Sequence, residues 1–451
     1  MQKKSLVEIG LDDTDSRNGM CTTYIAHRLA ERLLTKGASF EDYPRLIRLN
    51  PNIPWKTRGN GAVSLKFRTE DPEKAFEEAC RTVTEYSETE SSADPGVVTS
   101  TLEQTPDNIA EFADRALSEV VSKKDAIHLM KKHNIRFKGW SRQRGLIGAL
   151  AAIGNRLDED RTFELLAFRS EENWGCGRSV DTVSVMEMSR KTHPHTFNSY
   201  DEETGRILIT PRGPDPVLLG VRGEDPETVL RAYRMLKAGE TVSGYLIFKT
   251  NQGTGAHLKP KLDLGGLKAY RSGHFEGIVS KTPEVGEGGH VYIQVKNKEG
   301  VTACAAYEPS GSFRKTVLSL IPGDRVEIGG SVRRRTRRHS AIVNIEYLRI
   351  TETADDIRLT NPVCRRCGKR MTSQGRGQGF RCDSCGFKDR TAEKLKVEKR
   401  RIIGRGLYIP PPRAQRHLTK PQQRYRLSGK VKTGLIDKWF EPAGLVTRLK
   451  V

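Results

Sequence analysis

Apolar residues in the first third of the chain follow two different periods. Residues 5–11 form a short, mostly apolar run typical of a buried strand, whereas residues 22–36 carry apolar positions at helical spacing and stop at Gly37. Further strands and helices are predicted at residues 45–49, 62–68, 72–86, 106–121 and 123–133. The pattern indicates an α+β domain over residues 1–135, with an acidic loop between its first strand and its first helix.

The middle of the chain repeats this mixture of elements. A basic, glycine-punctuated loop from Phe137 runs into a helix of small residues, GLIGALAAIG. Later strands and one helix are predicted at residues 162–168, 206–210, 226–237 and 244–250. These elements predict a second α+β domain over residues 136–260.

Residues 273–350 change character to short alternating runs separated by Gly and Pro turns. Five strands of this kind fit an OB-type β-barrel, which we place within residues 270–352. The whole chain is therefore expected to be a multidomain α+β protein. Its 451 residues suffice for three or four domains.

Composition narrows the class of protein. Hydrophobic residues make up 36% of the chain and charged residues 29%, and no window approaches the roughly 20 apolar residues that span a bilayer. The N-terminus meets acidic residues before any apolar run long enough for a signal peptide. We expect a cytoplasmic protein with no membrane partner.

The net charge of +21 is concentrated at the C-terminus. Residues 361–451 contain 24 lysines and arginines against 6 acidic residues, which leaves a net +18 there. Clustered cations of this kind favour a polyanion such as RNA, because binding releases counterions from its phosphates. The alternative is a solvated basic tail. Residues 71–119, by contrast, are acidic and are expected to face solvent.

Four cysteines within residues 361–390 form two C-x2-C knuckles, each followed directly by a glycine. Their spacing predicts a tetrahedral zinc ribbon, with all four ligands supplied by Cys364, Cys367, Cys382 and Cys385. Because no coordination position stays open for water or substrate, the Zn²⁺ is expected to be structural. Two disulfides are the alternative, which the cytoplasmic location disfavours.

The turn Asp12-Asp13-Thr14-Asp15 follows a buried strand and precedes a helix. Carboxylates are hard ligands for Mg²⁺, and the helix N-terminus, with Gly19 and with Thr22 or Thr23, can bind phosphate oxygens. The turn therefore predicts a metal–nucleotide site. An Asx-turn with a helix cap is the alternative, although it requires fewer acidic residues. A Walker-type P-loop motif is missing from the sequence.

Cations near this turn are candidates for neutralising nucleotide phosphates. Lys56 and Arg58 lie with Trp55 in the irregular loop NPNIPWKTRGN, and Arg142 and Arg144 precede the small-residue helix. A solvated loop explains Lys56 and Arg58 equally well from sequence. Isolated loop histidines such as His257 are not expected to act in catalysis.

Five motifs, in this order, resemble the archaeal agmatidine synthetases, which act on the minor isoleucine tRNA. They are LDDTDSRNGMCTTY, LNPNIPWKTRGNGAV, GLIGALAAIG, TNQGT-x-AH and the four-cysteine module. The resemblance implies an unusual kinase-like domain, a ferredoxin-like domain, an OB-fold and a zinc ribbon, which agrees with the segmentation above. It also implies that the basic segment over residues 391–451 binds tRNA.

The resemblance implies a ligase that attaches agmatine to C2 of the wobble cytidine in a CAU anticodon. The cytosine O2 is phosphorylated by ATP and then displaced by the amine, with ATP giving AMP and phosphates. The modified tRNA decodes AUA as isoleucine. We expect ATP, Mg²⁺ and Zn²⁺ as cofactors and no obligate protein partner.

The same resemblance implies roles for individual residues. Asp12, Asp13 and Asp15 would hold metal and ATP phosphates, and Thr22, directly after Cys21, would be the autophosphorylated threonine. The other expected contacts to ATP or the base are Thr14, Gly19, Thr23, Lys56 and Arg58.

Two questions stay open at this point. Gly255 stands where we expect an aspartate in the family's TNQGT stretch, so the acidic residue for agmatine's guanidinium is sought instead at Asp215 or Asp225. The competing functions are an RNA-binding kinase and a noncatalytic OB-fold/zinc-ribbon RNA-binding protein.

Overall fold

The computed structural model describes residues 4–335, 341–427 and 434–444. Its N-terminal part contains β1 (Ser5–Asp12), α1 (Thr22–Thr35), β2 (Ser39–Phe40), β3 (Arg45–Arg48), β4 (Gly61–Thr69), α2 (Pro72–Tyr86), β5 (Gly96–Ser100), α3 (Asp107–Ser118), α4 (Lys123–Lys132), β6 (Arg136–Gly139) and α5 (Gly145–Gly154). The next part contains β7 (Thr162–Arg169), α6 (Thr182–Thr192), β8 (Thr196–Phe197), β9 (Tyr200–Asp201), β10 (Arg206–Ile207), β11 (Val217–Gly223), α7 (Pro226–Tyr233) and β12 (Val242–Thr250).

One sheet runs through both of these parts, in the order β6-β5-β1-β4-β3-β12-β7-β11-β8. The link is a short parallel pairing in which Lys249 and Thr250 of β12 lie opposite Arg45 and Leu46 of β3. The two domains expected from the sequence are thus joined edge to edge rather than separated by a linker.

Helices cover both faces of this sheet. Helices α1 and α2 pack on one face, and α3, α4 and α5 pack on the other, each against alternate residues of the central strands. The first cluster also includes Leu166, Phe168, Leu246 and Phe248 of β7 and β12. Helix α1 therefore packs on strands of both parts and holds the acidic turn in front of it at a fixed position.

The barrel contains β13 (Ser272–Val279), β14 (Glu284–Val285), β15 (Val291–Asn297), β16 (Gly300–Ala306), α8 (Ser312–Leu318), β17 (Arg325–Arg333) and β18 (Ile342–Glu352). Its sheet follows the order β13-β17-β18-β16-β15, and a further pairing of β13 with β15 closes it. The expected multidomain α+β fold with a five-stranded barrel is confirmed.

The C-terminal part contains β19 (Ile357–Thr360), β20 (Thr372–Ser373), β21 (Phe380–Arg381), β22 (Lys388–Asp389), β23 (Leu395–Glu398), β24 (Gly406–Tyr408) and β25 (Phe440–Glu441). After the zinc ribbon the chain returns to the main sheet, where β25 pairs with β12. Within the described residues, no helix has the length and apolarity needed to cross a bilayer.

Several cations of this returning chain are paired with carboxylates of the same protein. Arg424 contacts Asp160 at 2.8 Å and Glu224 at 2.6 Å, and Arg413 contacts Asp201 at 2.8 Å. The basic C-terminus is therefore not one uniform surface for RNA: part of its charge ties the segment of residues 410–426 to the body.

Candidate functional site

The acidic turn sits between the end of β1 and the start of α1. Asp12 is the last residue of β1, and Asp13 adopts a positive φ of 57°, a conformation that asparagine and aspartate tolerate better than most residues. Cys21 occupies the N-cap position of α1 without a side-chain cap bond, and Thr22 and Thr23 are its first residues. The threonines therefore do not cap the helix, which removes the cap alternative for them.

Small residues of α5 let the end of β1 approach the helix closely. A Cβ at Gly148 would overlap the Asp12 carboxylate, and a Cβ at Gly145 would lie 2.5 Å from the Asp12 carbonyl oxygen. The close approach of β1 thus explains why Gly145 and Gly148 stand in GLIGALAAIG. They allow the Asp12 side chain to lie against the helix surface.

Two arginines hold the other carboxylates of the turn. Arg144 donates from Nε to Asp13 Oδ2 at 3.0 Å, and Arg58 donates from Nε to Asp15 Oδ2 at 2.9 Å. Arg58 also donates to the carbonyl oxygens of Gly19 and Met20. The Arg58 guanidinium therefore joins the loop of residues 50–60 to the turn.

Burial makes this group of carboxylates electrostatically costly. It raises the pKa of Asp12 well above its ordinary value, and the neighbouring Asp13 charge adds to the rise. Burial also raises the pKa of Asp13 and of Asp15, although Arg144 and Arg58 oppose it. A divalent cation would relieve the repulsion, so the donor set fits Mg²⁺.

The threonine hydroxyls of the turn and of the start of α1 make two side-chain contacts. Thr14 Oγ1 and Thr22 Oγ1 are 2.9 Å apart and buried, and Thr23 Oγ1 lies 3.0 Å from Cys21 Sγ. Thr22 and Thr23 both line the cavity in front of the turn.

This cavity has a volume of about 750 Å³ and gathers residues from distant parts of the chain. The acidic turn and the 50–60 loop line it together with α5, with β7 and β11, and with residues 413–418. Lys56 reaches the cavity but bonds to the Ile53 carbonyl oxygen at 3.4 Å rather than to the turn. Burial lowers the pKa of Lys56, and Arg416 lowers it further.

The four cysteines of the ribbon converge as a zinc site requires. All four sulfur atoms lie within 4.8 Å of one another, with Cys364 and Cys385 at 3.5 Å and Cys367 and Cys382 at 3.4 Å. Zn–S bonds of about 2.3 Å place tetrahedral sulfurs roughly 3.8 Å apart, so the group fits Zn²⁺.

The two knuckles share one geometry. The Gly368 and Gly386 N–H groups each donate at 2.9 Å to the carbonyl oxygen of the cysteine four residues earlier. Both glycines have positive φ, 71° and 72°, which explains their place after each C-x2-C.

Family models match most of the chain. Residues 8–141 match the TiaS TCKD domain, residues 143–257 the TiaS FLD domain, and residues 361–403 the TiaS C-terminal zinc ribbon domain. The isoleucine-tRNA 2-agmatinylcytidine synthetase TiaS of Cenarchaeum symbiosum is 40% identical, with 96% of each chain covered. The enzyme of the same name from Methanosarcina mazei is 41% identical over 92% of this chain and 97% of its own.

This chain belongs to the TiaS family. Solved structures agree: a complex of TiaS with its isoleucine tRNA and ATP superposes with a TM-score of 0.85 at 38% identity, over 95% of this chain and 99% of that one. A complex of TiaS with the same tRNA, AMPCPP and agmatine gives 0.82 at 35% identity, over 95% and 99%. The resemblance found in the sequence motifs is confirmed.

The structure distinguishes the two acidic residues, Asp215 and Asp225, that the sequence suggested for binding the amine. Asp215 lines the cavity, where Arg58 lies 3.4 Å away and Arg178 3.2 Å away. Burial raises the pKa of Asp215, against the effect of both arginines. Asp225 instead caps α7 by accepting a bond from Thr228 N at 2.7 Å, and it is not among the residues that line the cavity.

The sequence motifs did not reveal a second polar group in the cavity wall. Glu164 of β7 is buried and accepts bonds from Arg222 Nε, at 2.8 Å, and from Gln252 Nε2, while Arg48 lies 3.8 Å away. An isolated Glu inside the apolar strand TFELLAFR was the available signal. It marks a buried charge that requires partners.

Gly255 and His257 hold parts of the molecule together. Gly255 has a positive φ of 71°, and its N–H donates to the Leu418 carbonyl oxygen at 2.7 Å. His257 is buried and lies 2.8 Å from Glu346 of the barrel.

Proposed function

We propose that this protein uses ATP to attach agmatine to C2 of the wobble cytidine of the minor isoleucine tRNA, which has a CAU anticodon. The observation that carries the proposal is the single cavity that joins a buried acidic turn, cations from two loops and the C-terminal segment. The relatives named for this reaction support it. A cytoplasmic location follows from such a substrate.

Asp12, Asp13 and Asp15 are the residues that would hold Mg²⁺. Among the described residues, only the four cysteines lie close enough together to enclose an ion with protein ligands alone. Mg²⁺ commonly takes one or two carboxylates and completes its shell with phosphates and water, so the aspartates need not enclose it. The ion would neutralise charge on the transferring phosphate.

Arg58 and Arg144 set the limits of the phosphate site. Each donates to a carboxylate of the turn, and both line the cavity. Arg58 is further engaged by Asp215 and by the Gly19 and Met20 carbonyl oxygens, so it fixes the turn, whereas Arg144 has more N–H groups left for phosphate oxygens. Gly19, Thr14 and Thr23 shape the same turn, and Lys56 adds a cation farther along the wall.

The chemistry requires a better leaving group on cytosine. The cytosine O2 attacks the γ-phosphorus of ATP, and the bond from that phosphorus to its bridging oxygen breaks. The primary amine of agmatine then attacks C2, the C2–O2 bond breaks, and phosphate leaves while the amine loses its protons. Transfer of the γ-phosphate leaves ADP. The resemblance implies AMP as the final nucleotide, so water must also attack the β-phosphorus of that ADP, which breaks its bond to the α–β bridging oxygen and releases a second phosphate. The resemblance further implies Thr22 as an intermediate phosphate acceptor; Thr22 lies in the cavity wall.

The two N-terminal domains, residues 1–135 and 136–260, supply the chemistry in this proposal. The barrel over residues 270–352, the ribbon over residues 361–390 and the basic segment over residues 391–451 hold the RNA. Exposed cations on the ribbon, such as Arg370 and Arg376, are placed for phosphate contacts.

The test is incorporation of labelled agmatine into a transcript of the minor isoleucine tRNA. The wild type should require ATP, and Asp12→Asn and Arg58→Lys should lower the initial rate by about 100-fold or more, because the first removes a carboxylate that would hold the cation and the second removes the guanidinium that fixes Asp15 and the turn. An elongator methionine tRNA, which has the same CAU anticodon, is the control substrate. Equal labelling without ATP, or an Asp12→Asn variant as active as the wild type, would contradict the proposal.

A further inference from the structure

Trp55 is a large apolar side chain left half in solvent at the catalytic cavity. Its exposed fraction is 51%, and it lines the cavity wall. Tryptophan is highly buried on average in folded proteins. Beyond its contact with the Tyr270 ring, the indole keeps about half of its surface open beside a polar site, where it can meet the ring of a ligand.

The backbone around Trp55 is fixed by hydrogen bonds on both sides. The buried Asn50 donates to the Tyr270 carbonyl oxygen at 2.8 Å, and Asn60 donates to the Asn50 carbonyl oxygen at 2.7 Å, which closes the loop. Asn52 adds a bond of 3.1 Å to Ser272 Oγ at the start of the barrel. Trp55 is thus exposed on a loop that hydrogen bonds hold in place.

The loop spans the distance between the nucleotide turn and the barrel. At one end Arg58 bonds to Asp15, and at the other the Trp55 ring meets the Tyr270 ring edge-on, with centroids 6.0 Å apart. Tyr270 lies two residues before β13 of the barrel. Among the described residues that line the cavity, Trp55 therefore carries the only Phe, Tyr or Trp ring, and that ring contacts the residue that leads into the barrel.

Cations accompany Trp55 along the same wall. Lys56 follows it in the loop, and Arg212 and Arg416 also line the cavity. An aromatic face with cations around it is the arrangement that binds an unstacked nucleobase and its phosphates. The proposed function assigns the nucleotide phosphates to the turn, which Arg58 contacts, whereas Trp55 contacts Tyr270 next to the barrel; we therefore assign the base that Trp55 meets to the RNA, and the experiment below tests the adenine ring as the other occupant.

We propose that Trp55 is the platform on which the flipped-out target cytosine stacks, so that O2 and C2 face the phosphate donor and the amine. The inference rests on the proposed function and adds a residue that binds the base. An enzyme acting on a base must take it out of its stack, and an aromatic face compensates for the lost stacking.

The experiment measures agmatine incorporation and tRNA affinity for the wild type, Trp55→Phe and Trp55→Ala. Base–aromatic stacking of about 1–3 kcal/mol corresponds to a loss of about 5- to 150-fold for Trp55→Ala. Trp55→Phe should recover most of the loss, because it keeps a π-face. Val183→Ala is the matched control, since Val183 is an apolar side chain that is 62% exposed and is not among the residues that line the cavity.

A minor isoleucine tRNA that lacks the base at the wobble position separates stacking from a structural effect. The wild type should bind this tRNA more weakly than the intact one, whereas Trp55→Ala should bind both alike. A fluorescent cytosine analogue at that position should be quenched by the wild type and not by Trp55→Ala.

The inference is overturned if Trp55→Ala incorporates agmatine as fast as an active wild type, or if it distinguishes the two tRNAs as well as the wild type does. A loss of ATP binding without tRNA would assign Trp55 to the adenine ring instead and would equally overturn it. A wild type that modifies no tRNA would refute the proposed function itself, which is a different result.

Discussion

At the scale of single residues, the site depends on glycines, which have no side chain, as much as on its charged residues. Asp12 lies against α5 because Gly148 leaves room for its carboxylate. The same carboxylate is buried beside Asp13 and Asp15, and in the proposed function its position sets where the cation and the phosphates align. A methyl group added at Gly148 is therefore expected to lower the rate of the reaction more than the stability of the fold.

Gly148→Ala is expected to lower the turnover rate by about 100-fold, because displacement of a catalytic group by about 1 Å costs that much. The Michaelis constant for tRNA should change little, since the RNA-binding parts are untouched. Steady-state kinetics with the minor isoleucine tRNA measures both. The control is Gly177→Ala, where an added Cβ meets nothing within 4 Å. Normal turnover by Gly148→Ala would contradict the assignment of Asp12.

Sequence predicted the acidic turn and the four cysteines because each is a local motif whose residue types state their chemistry. It did not predict Glu164, Arg222 and His417 in the cavity wall, since they come from distant segments and meet only through the sheet and the returning chain. Asp225 was a candidate for the amine and instead caps α7. Its cap role was predictable, because Pro226 follows it and Thr228 lies three residues on.

At the scale of elements, the joints between parts of the molecule are made by buried polar pairs. The pair of His257 and Glu346 links the TNQGT stretch to the barrel, and Ser331 and Thr419 also donate to Glu346. Burial opposes the charge on Glu346, but His257 and Ser331 hold its pKa below the ordinary value. The ionised carboxylate thus stabilises the joint.

A carboxylate whose pKa is depressed by folding contributes stability above the unfolded-state pKa of about 4.3, and loses it as the pH falls through the folded-state value. Glu346→Gln should therefore destabilise the protein at pH 7 by about 2 kcal/mol, and the difference should begin to shrink as the pH falls below the unfolded-state pKa of about 4.3 and disappear below the lower folded-state pKa. Thermal unfolding of both proteins across this range tests it. Glu287→Gln, at an exposed position of the barrel, should match the wild type throughout.

The zinc ribbon is an element whose fold depends on its ion. Cys382→Ser should abolish the bound zinc and hydrogen-exchange protection over residues 361–390, while ATP binding at the distant turn persists. Cys176→Ser, at an exposed cysteine outside the ribbon, should keep the bound zinc of the wild type. Metal analysis measures the bound zinc, and hydrogen exchange measures the protection of residues 361–390. A ribbon that stays protected without metal would refute the zinc assignment.

The single sheet through residues 4–250 could not be predicted from sequence. Its joint is a parallel pairing of two residues on each strand, and nothing in the composition of RLIR or VSGYLIFKT specifies that partner. Closure of the barrel was predictable, because alternating runs with Gly and Pro turns constrain the strands locally.

At the scale of the whole molecule, the basic residues behind the net charge of +21 fall into two groups. Some form ion pairs with carboxylates of the protein, and others are exposed and can bind RNA. Lys420 and Arg424 bond to Asp160, whereas Arg376 of the ribbon is exposed. Only cations of the second kind can release counterions from RNA phosphates. The acidic helices over residues 71–119 bear the opposite charge and are expected to lie away from the RNA.

With about 6–10 phosphate contacts, tRNA affinity should fall by about 10³–10⁵ between roughly 50 and 200 mM salt. Arg376→Ala should reduce the slope of log affinity against log salt by about one, and Lys420→Ala should leave the slope unchanged. Binding titrations over this range measure both. A flat response in the wild type would mean that the basic surface does not bind phosphates.

The most direct test of the central claim is nucleoside mass spectrometry of the minor isoleucine tRNA treated with the protein, ATP and agmatine. The account predicts that the wobble cytidine is replaced by 2-agmatinylcytidine, and that omitting ATP or agmatine leaves the cytidine unchanged. Unmodified cytidine after ATP has been consumed in the complete mixture would contradict it.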